Sequence, residues 1–317
     1  MSSEIPLHRY PTLTGPCQLG IDEAGRGPVL GPMVYACAYW PKADAVDCKN
    51  LGFMDSKALD AEAREELFKK ISIHDKIGYV AKSLTPQYIS HSMLRLAKYN
   101  LNEISHDTAM DLIQAVLDKG VDLQDVFVDT VGKPEPYRQK ILNRFPSLNV
   151  TVSEKADSRF PVVSAASICA KVIRDDILSK WDFEEPHLKG AEKGWGSGYP
   201  GDAQTKKWLV DNCDHLFGFP TVVRFSWKTT SNILEERGIP VGWGDEDEDL
   251  PPTKRRKVDA PSRSKSAPNI LTSFTKPAPA KSDAVKPSGS KRKRSSLTAS
   301  DRDMYFSMRN LIAIDNL

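Results

Sequence analysis

Leu19-Gly20-Ile21-Asp22-Glu23-Ala24-Gly25-Arg26-Gly27-Pro28 is the stretch on which the fold of this chain turns. An apolar lead-in, Leu19 and Ile21, delivers two adjacent acids, and a Gly-Arg-Gly-Pro turn follows at once. Acids are depleted in strands, and an unpaired carboxylate on a buried strand is costly. Two readings are open on this stretch alone. Either Asp22 and Glu23 await a metal or another strong partner, or the strand ends in a salt bridge to Arg26 beside an ordinary glycine turn.

Outward from there, strand-like runs at Cys17–Asp22 and Val29–Trp40 flank the turn and suit neighbouring antiparallel strands. A helical pattern over Asp60–Ile71 puts Leu67, Phe68 and Ile71 on one face, and Ile77–Ser83 reads as a third strand. Thr85-Pro86 opens a largely helical region through Lys119. Strands over Asp125–Val131 and Leu148–Ser153 enclose a helix around Tyr137–Arg144. The helix Val162–Trp181 carries Ser164, Ala165, Ala166 and Ala170, small residues suited to close packing on a sheet. Thr205–Phe217 and Phe225–Arg237 read as further helices. This order predicts an α/β fold: a mixed sheet flanked by helices on both faces, with a helical C-terminal extension.

The expected domain spans residues 17–240. Residues 1–16, with Pro6, Pro11 and Pro16 and no periodicity, read as a loose, flexible arm. Residues 241–303 run from an acidic cluster, Asp245–Asp249, into Lys-, Ser- and Pro-rich sequence and read as a disordered linker ending in a basic tail. Residues 304–317, with Tyr305, Phe306, Met308, Leu311 and Ile312, read as a short docking helix.

At 317 residues, 40% hydrophobic and 27% charged, the composition is that of an ordinary soluble protein. No apolar run approaches the ~18 residues of a membrane helix, so no membrane partner is expected. The amino terminus lacks the basic and apolar segments of a secretory signal. Five scattered cysteines without a CxxC spacing fit a reducing compartment and argue against zinc. The net charge of +2 is uneven: residues 251–317 hold 15 Lys/Arg against 5 Asp/Glu, leaving 29 against 37 in the rest. A nucleic acid would therefore meet the body through a local patch rather than its overall field.

Three strand-like runs end in or beside acids: Asp22 with Glu23, Asp129, and Asp157. Strand ends of α/β sheets are where sites are built. Singly, Asp129 or Asp157 reads as a helix cap or a surface acid. Jointly, four carboxylates on one edge repel one another unless a hard cation such as Mg2+ or Mn2+ lies among them. Two such ions, ~4 Å apart, serve phosphodiester hydrolysis by activating water and stabilising the leaving oxygen. In that scheme Asp22 bridges the ions, Glu23 and Asp129 complete one site, and Asp157 completes the other.

Gly20-Ile21-Asp22-Glu23-Ala24-Gly25-Arg26-Gly27-Pro28 resembles the signature of the type 2 ribonucleases H, the ribonuclease HII family. The same order of motifs continues with Asp55-Ser56-Lys57, Phe127-Val128-Asp129, Lys155-Ala156-Asp157 with Ser164-Ala165-Ala166-Ser167, and Gly196-Ser197-Gly198-Tyr199-Pro200. Lys98-Tyr99-Asn100-Leu101-Asn102 with Ser105-His106-Asp107-Thr108, and Val223-Arg224-Phe225-Ser226-Trp227, resemble the family's eukaryotic catalytic chains in particular.

The resemblance implies an RNase H-like fold and endonucleolytic cleavage of RNA in RNA–DNA hybrids. It also implies incision 5′ to a single ribonucleotide in duplex DNA, in ribonucleotide excision and replication primer removal. Asp22, Glu23, Asp129 and Asp157 become the catalytic metal ligands, for two Mg2+ or Mn2+ ions. Gly25, Arg26 and Gly27 meet the 2′-hydroxyl, Tyr199 packs on the following deoxyribose, and Lys57, Lys98 and Asn100 contact phosphate or sugar. His106 receives no catalytic role.

The implied partners are two non-catalytic subunits. Lys254-Arg255-Arg256-Lys257 resembles a nuclear localisation signal, with a non-specific nucleic-acid grip as the alternative. Ile270-Leu271-Thr272-Ser273-Phe274 is faintly similar to a sliding-clamp docking motif. Two other functions compete: a DNA nuclease of related fold, of the resolvase or integrase type, and a non-catalytic nucleic-acid binding module. The four acids oppose the second, and the Gly-Arg-Gly turn opposes the first.

Overall fold

The computed structural model describes residues 5–53, 59–97, 99–185, 188 and 194–239. Its strands are β1 (His8–Arg9), β2 (Cys17–Ala24), β3 (Met33–Pro41), β4 (Gly78–Leu84), β5 (Leu123–Asp129) and β6 (Asn149–Ser153). Its helices are α1 (Ala45–Lys49), α2 (Ala61–Ile73), α3 (Pro86–Leu94), α4 (Leu101–Leu117), α5 (Pro134–Arg144), α6 (Ala156–Arg159), α7 (Pro161–Ser179), α8 (Ala203–Asp211) and α9 (Lys228–Arg237). The strands form one six-stranded sheet in the order β1-β4-β3-β2-β5-β6.

The sheet is mixed, as the sequence predicts. β2 runs antiparallel to β3 and parallel to β5, and β5 runs parallel to β6. Ile21 lies opposite Val128, so the next residues along the two strands are Asp22 and Asp129. The parallel pairing thus brings two of the acids to the same end of the sheet.

Alternation along each strand divides the core in two. Leu19, Ile21, Tyr35, Cys37 and Tyr39 face α4 and α5 through Ile104, Leu112, Ile113, Val116, Tyr137 and Ile141. Val34, Ala36, Ala38 and Trp40 face α2 and α7 through Leu67, Phe68, Ile71, Val162, Ala165 and Ala166. Small residues on both sides let α7 approach closely: a Cβ added to Gly20 would lie 2.3 Å from the backbone carbon of Val162. A third cluster joins Val29 and Leu30, just past the glycine turn, to Trp195, Leu209, Val222, Val223 and Ile233 of the C-terminal extension.

Among the local features that differ from the sequence reading, three have a side-chain or pairing cause. The helical region after Thr85 is two helices, because Asn100 caps α4. Its side-chain oxygen accepts from the N–H of Asn102 (2.9 Å) and Glu103 (3.1 Å), while Glu103 accepts from Asn100 N (3.0 Å). Helix α8 stops at Asp211, and Asp214 instead gathers the N–H groups of Leu216 (2.8 Å) and Phe217 (2.9 Å) in a turn. Within the stretch read as a loose arm, His8 and Arg9 add β1 to the edge of β4, and Tyr79 Oη donates to Pro6 O (3.1 Å).

The chain divides into two units, Met1–Trp243 and Gly244–Leu317. Lys57, Lys98, the linker over 241–303 with Lys254–Lys257 and Ile270–Phe274, and the expected helix over 304–317 lie outside the described residues. The five cysteines are free thiols. Among the described residues no helix is long and apolar enough to cross a membrane.

Candidate active site

Asp22 and Glu23 are neighbours on β2 and therefore look to opposite faces of the sheet. Asp22, 6% exposed, accepts from Glu23 N (2.8 Å) and is hydrogen-bonded to Ser167 of α7. Glu23 lies on the α4 side, within the influence of Arg26, Tyr35 and Tyr137. Asp129 closes β5, and its Oδ1 accepts from Ala156 N (2.8 Å). Asp157, buried in the first turn of α6, accepts from Ser158 N (3.0 Å). Lys155 makes this junction: its φ of 52°, the one positive φ outside glycine among the described residues, turns β6 into α6.

Electrostatics link the four acids. Burial pushes the Asp22 pKa up, the bond to Ser167 opposes that, and the charges of Asp129 and Asp157 add to the rise. Burial pushes Glu23 up as well, helped by Asp22 and Asp129 and opposed by Arg26. As the side chains stand, no three His, Cys, Asp or Glu among the described residues form a group that could hold a metal ion. The acids feel one another's charge, while three of them turn to a local N–H. The donor set nevertheless fits a hard divalent cation: it is all oxygen, Asp22 and Asp157 are buried, and Glu23 Oε2 is a buried oxygen without a hydrogen-bond partner.

The turn after β2 is built for close approach. Gly25 has φ 78°, and a Cβ there would lie 2.7 Å from Pro32 O. The Arg26 side chain is tied to α4 by Asn102 Oδ1 and Ser105 Oγ, both at 2.5 Å. It makes no salt bridge to Asp22 or Glu23 among the described residues; its guanidinium is oriented by neutral acceptors. A Cβ at Gly27 would meet the Tyr199 ring at 3.1 Å, so the tyrosine, 52% exposed, lies directly against the turn. Val29 N donates to Gly198 O (2.8 Å), joining the two glycine loops.

Asn100, expected at the nucleic acid, spends its side-chain oxygen on capping α4. His106 stacks on Tyr137 (centroids 3.8 Å apart) with Nε2 3.3 Å from Val131 O, and burial lowers its pKa, a structural setting. Several residues without a role in the sequence reading also shape the site. Arg224 and Trp227 bond the carbonyls of the turn, and Arg174 Nε donates to Pro32 O (3.1 Å). The segment Val223–Trp227 carries part of the resemblance, but an arginine beside apolar residues reads as surface, and nothing local shows that it is buried.

The family model described as Ribonuclease HII matches residues 19–230, spanning β2 and its acids through the Arg224–Trp227 segment. The chain belongs to the ribonuclease HII family. It is 53% identical to a ribonuclease H2 subunit of Homo sapiens, over 73% of this chain and 77% of that protein. With the corresponding ribonuclease H2 subunit of Arabidopsis thaliana it shares 50% identity, covering 74% of this chain and 79% of the relative. Among solved structures, ribonuclease H2 of Pyrococcus horikoshii OT3 superposes with a TM-score of 0.60 at 32% identity, covering 69% of this chain and 98% of that one. The RNase HII of Archaeoglobus fulgidus, solved in a PCNA:RNase HII complex, superposes at 0.56 with 31% identity, over 68% of this chain and 96% of that one. The chain is thus a ribonuclease HII of the eukaryotic catalytic type, a hydrolase acting on RNA in RNA–DNA hybrids. That places it among enzymes rather than non-catalytic binding modules.

Proposed function

We propose that this ribonuclease H also incises duplex DNA 5′ to a single embedded ribonucleotide, leaving 5′-phosphomonoesters. One observation carries the reading. β2 ends in Asp22 and Glu23, and the next residues form the glycine turn against which Tyr199 lies. Chemistry and sugar recognition then share one stretch of backbone. The 2′-hydroxyl is the group that separates ribose from deoxyribose, and glycines let the backbone reach it. Tyr199 is exposed enough to lie on the deoxyribose that follows, so the junction itself is read. Arg26, oriented by Asn102 and Ser105, suits a phosphate, with Lys57, Lys98 and Asn100 as further contacts.

Asp22, Glu23, Asp129 and Asp157 would hold Mg2+ or Mn2+, as two ions during catalysis. Such ions, when bound, activate the attacking water and stabilise the leaving oxygen. The protein's own part is to supply carboxylates whose pKa is raised first by desolvation and then by one another's charge. Ser167 and the Ala156 N–H fix the orientation of Asp22 and Asp129.

The relatives are named as subunits of ribonuclease H2, which supports assembly with further, non-catalytic chains, two in this proposal, as a heterotrimer. The PCNA complex of the archaeal relative supports a sliding-clamp contact, for which Ile270–Phe274 is the candidate. Lys254–Lys257 would direct the chain to the nucleus, where replication primers and misincorporated ribonucleotides are its substrates. The site assignment is tested by Asp129→Asn: cleavage of an RNA–DNA hybrid in Mg2+ should fall at least ~10³-fold while duplex binding persists. Full activity in that variant refutes the metal site.

A further inference from the structure

Arg224 is fully buried, and its guanidinium meets carbonyls rather than a carboxylate. A buried cation is costly, and an apolar side chain would fill the same space more cheaply. What a guanidinium alone offers is a rigid planar fork of donors. That fork donates to Gly25 O (2.6 Å), Arg26 O (3.1 Å) and Gly31 O (2.8 Å). Its carbon lies 4.8 Å from the centre of the Trp227 ring, and Trp227 Nε1 donates to Gly27 O at 3.1 Å. Two side chains three residues apart therefore draw three consecutive carbonyls, those of Gly25, Arg26 and Gly27, to one side.

Peptide geometry supplies the consequence. No cis bond occurs among the described residues. In a trans peptide the C=O of one residue and the N–H of the next point in opposite directions. Drawing the Gly25 and Arg26 carbonyls inward turns the N–H groups of Arg26 and Gly27 outward. Among the described residues neither N–H has a backbone acceptor. We propose that Arg224 and Trp227 are positioning residues for cleavage, holding the Gly-Arg-Gly turn so that two backbone donors face the substrate's sugar. This rests on the reading of that turn as the ribose reader.

The test is a ratio of affinities. In an Asp129→Asn background, with the full chain and the candidate non-catalytic subunits present in every arm, dissociation constants are measured for two duplexes. One carries a single ribonucleotide and the other is all DNA. Trp227→Phe keeps the ring against Arg224 and removes the N–H to Gly27 O. Arg224→Lys keeps the charge and removes the fork. Losing one hydrogen bond that holds the turn should cut the preference for the ribonucleotide duplex roughly three- to tenfold in Trp227→Phe, and further in Arg224→Lys. Affinity for the all-DNA duplex should be unchanged. A merely structural role would lower the melting temperature and weaken both duplexes alike, leaving the ratio intact. An unchanged ratio in Trp227→Phe overturns the proposal whatever Arg224→Lys does. A parent without any preference overturns the ribose-reader reading, and this proposal with it.

Discussion

At Gly25 the backbone stands at φ 78°, and a Cβ would lie 2.0 Å from Arg174 Nε and 2.7 Å from Pro32 O. The left-handed conformation alone costs a non-glycine residue about 1–2 kcal/mol, and the carbonyl of Pro32 cannot move aside as a side chain could. Gly25→Ala should therefore displace the turn, lowering hybrid cleavage at least ~10-fold and reducing thermal stability by about that energy. Unaltered kinetics would show that the turn's conformation is irrelevant to activity. Asp202 offers a second residue-scale test. It accepts from Ser197 N (2.8 Å) and Thr205 Oγ1 (2.9 Å), and these bonds hold its pKa at about 2, below the ordinary 3.8. A depressed folded-state pKa means stability that is complete above about pH 4 and lost as pH falls toward 2. An NMR titration of the Asp202 carboxyl should show that low midpoint, and a midpoint near 3.8 would contradict the bonding that shapes the Tyr199 loop.

At the scale of elements, the contact between β2 and α7 carries Asp22 into place. Gly20→Ala would put a Cβ within 2.5 Å of backbone atoms of Val162 and Val163. Overpacking of this kind costs about 2–3 kcal/mol, roughly 5–10 °C in Tm for a body of this size. A melting curve that does not move would mean that α7 can slide without penalty. These elements were largely legible in sequence, because period-2 and period-3.6 patterns follow directly from burial on the two faces of the sheet. Boundaries failed where a side chain acts on the backbone: Asn100 capping α4, and Asp214 closing a turn after α8. The acids stand out in sequence as candidates because Asp22, Glu23 and Asp129 lie in or beside apolar runs and Asp157 follows shortly after one. That Asp22 and Glu23 occupy opposite faces follows from the strand running on to Ala24, past the point where the sequence pattern ends it. Arg224 was not legible as a site residue, since its partners Gly25 and Arg26 lie almost two hundred positions away.

At the scale of the whole molecule, charge is divided between the body and the tail. The boundary at Trp243/Gly244 falls just before the acidic run, and the positive excess lies beyond it. Truncation at Gly244 should leave hybrid cleavage by the assembled enzyme intact and reduce nuclear accumulation. Unchanged localisation of the truncated chain refutes Lys254–Lys257 as an import signal.

On the proposed function, the acids of β2 and the adjoining glycine turn form one device that cuts where a ribose stands. Its most direct test uses the full chain with candidate subunits, Mg2+, and a 5′-labelled duplex holding one ribonucleotide in otherwise all-DNA strands. The predicted product is a single cut at the phosphate 5′ to the ribose, absent without divalent metal and absent from the all-DNA control. A cut at another phosphate, equal cutting of the control, or no cut by an assembly that still degrades RNA–DNA hybrid would contradict it.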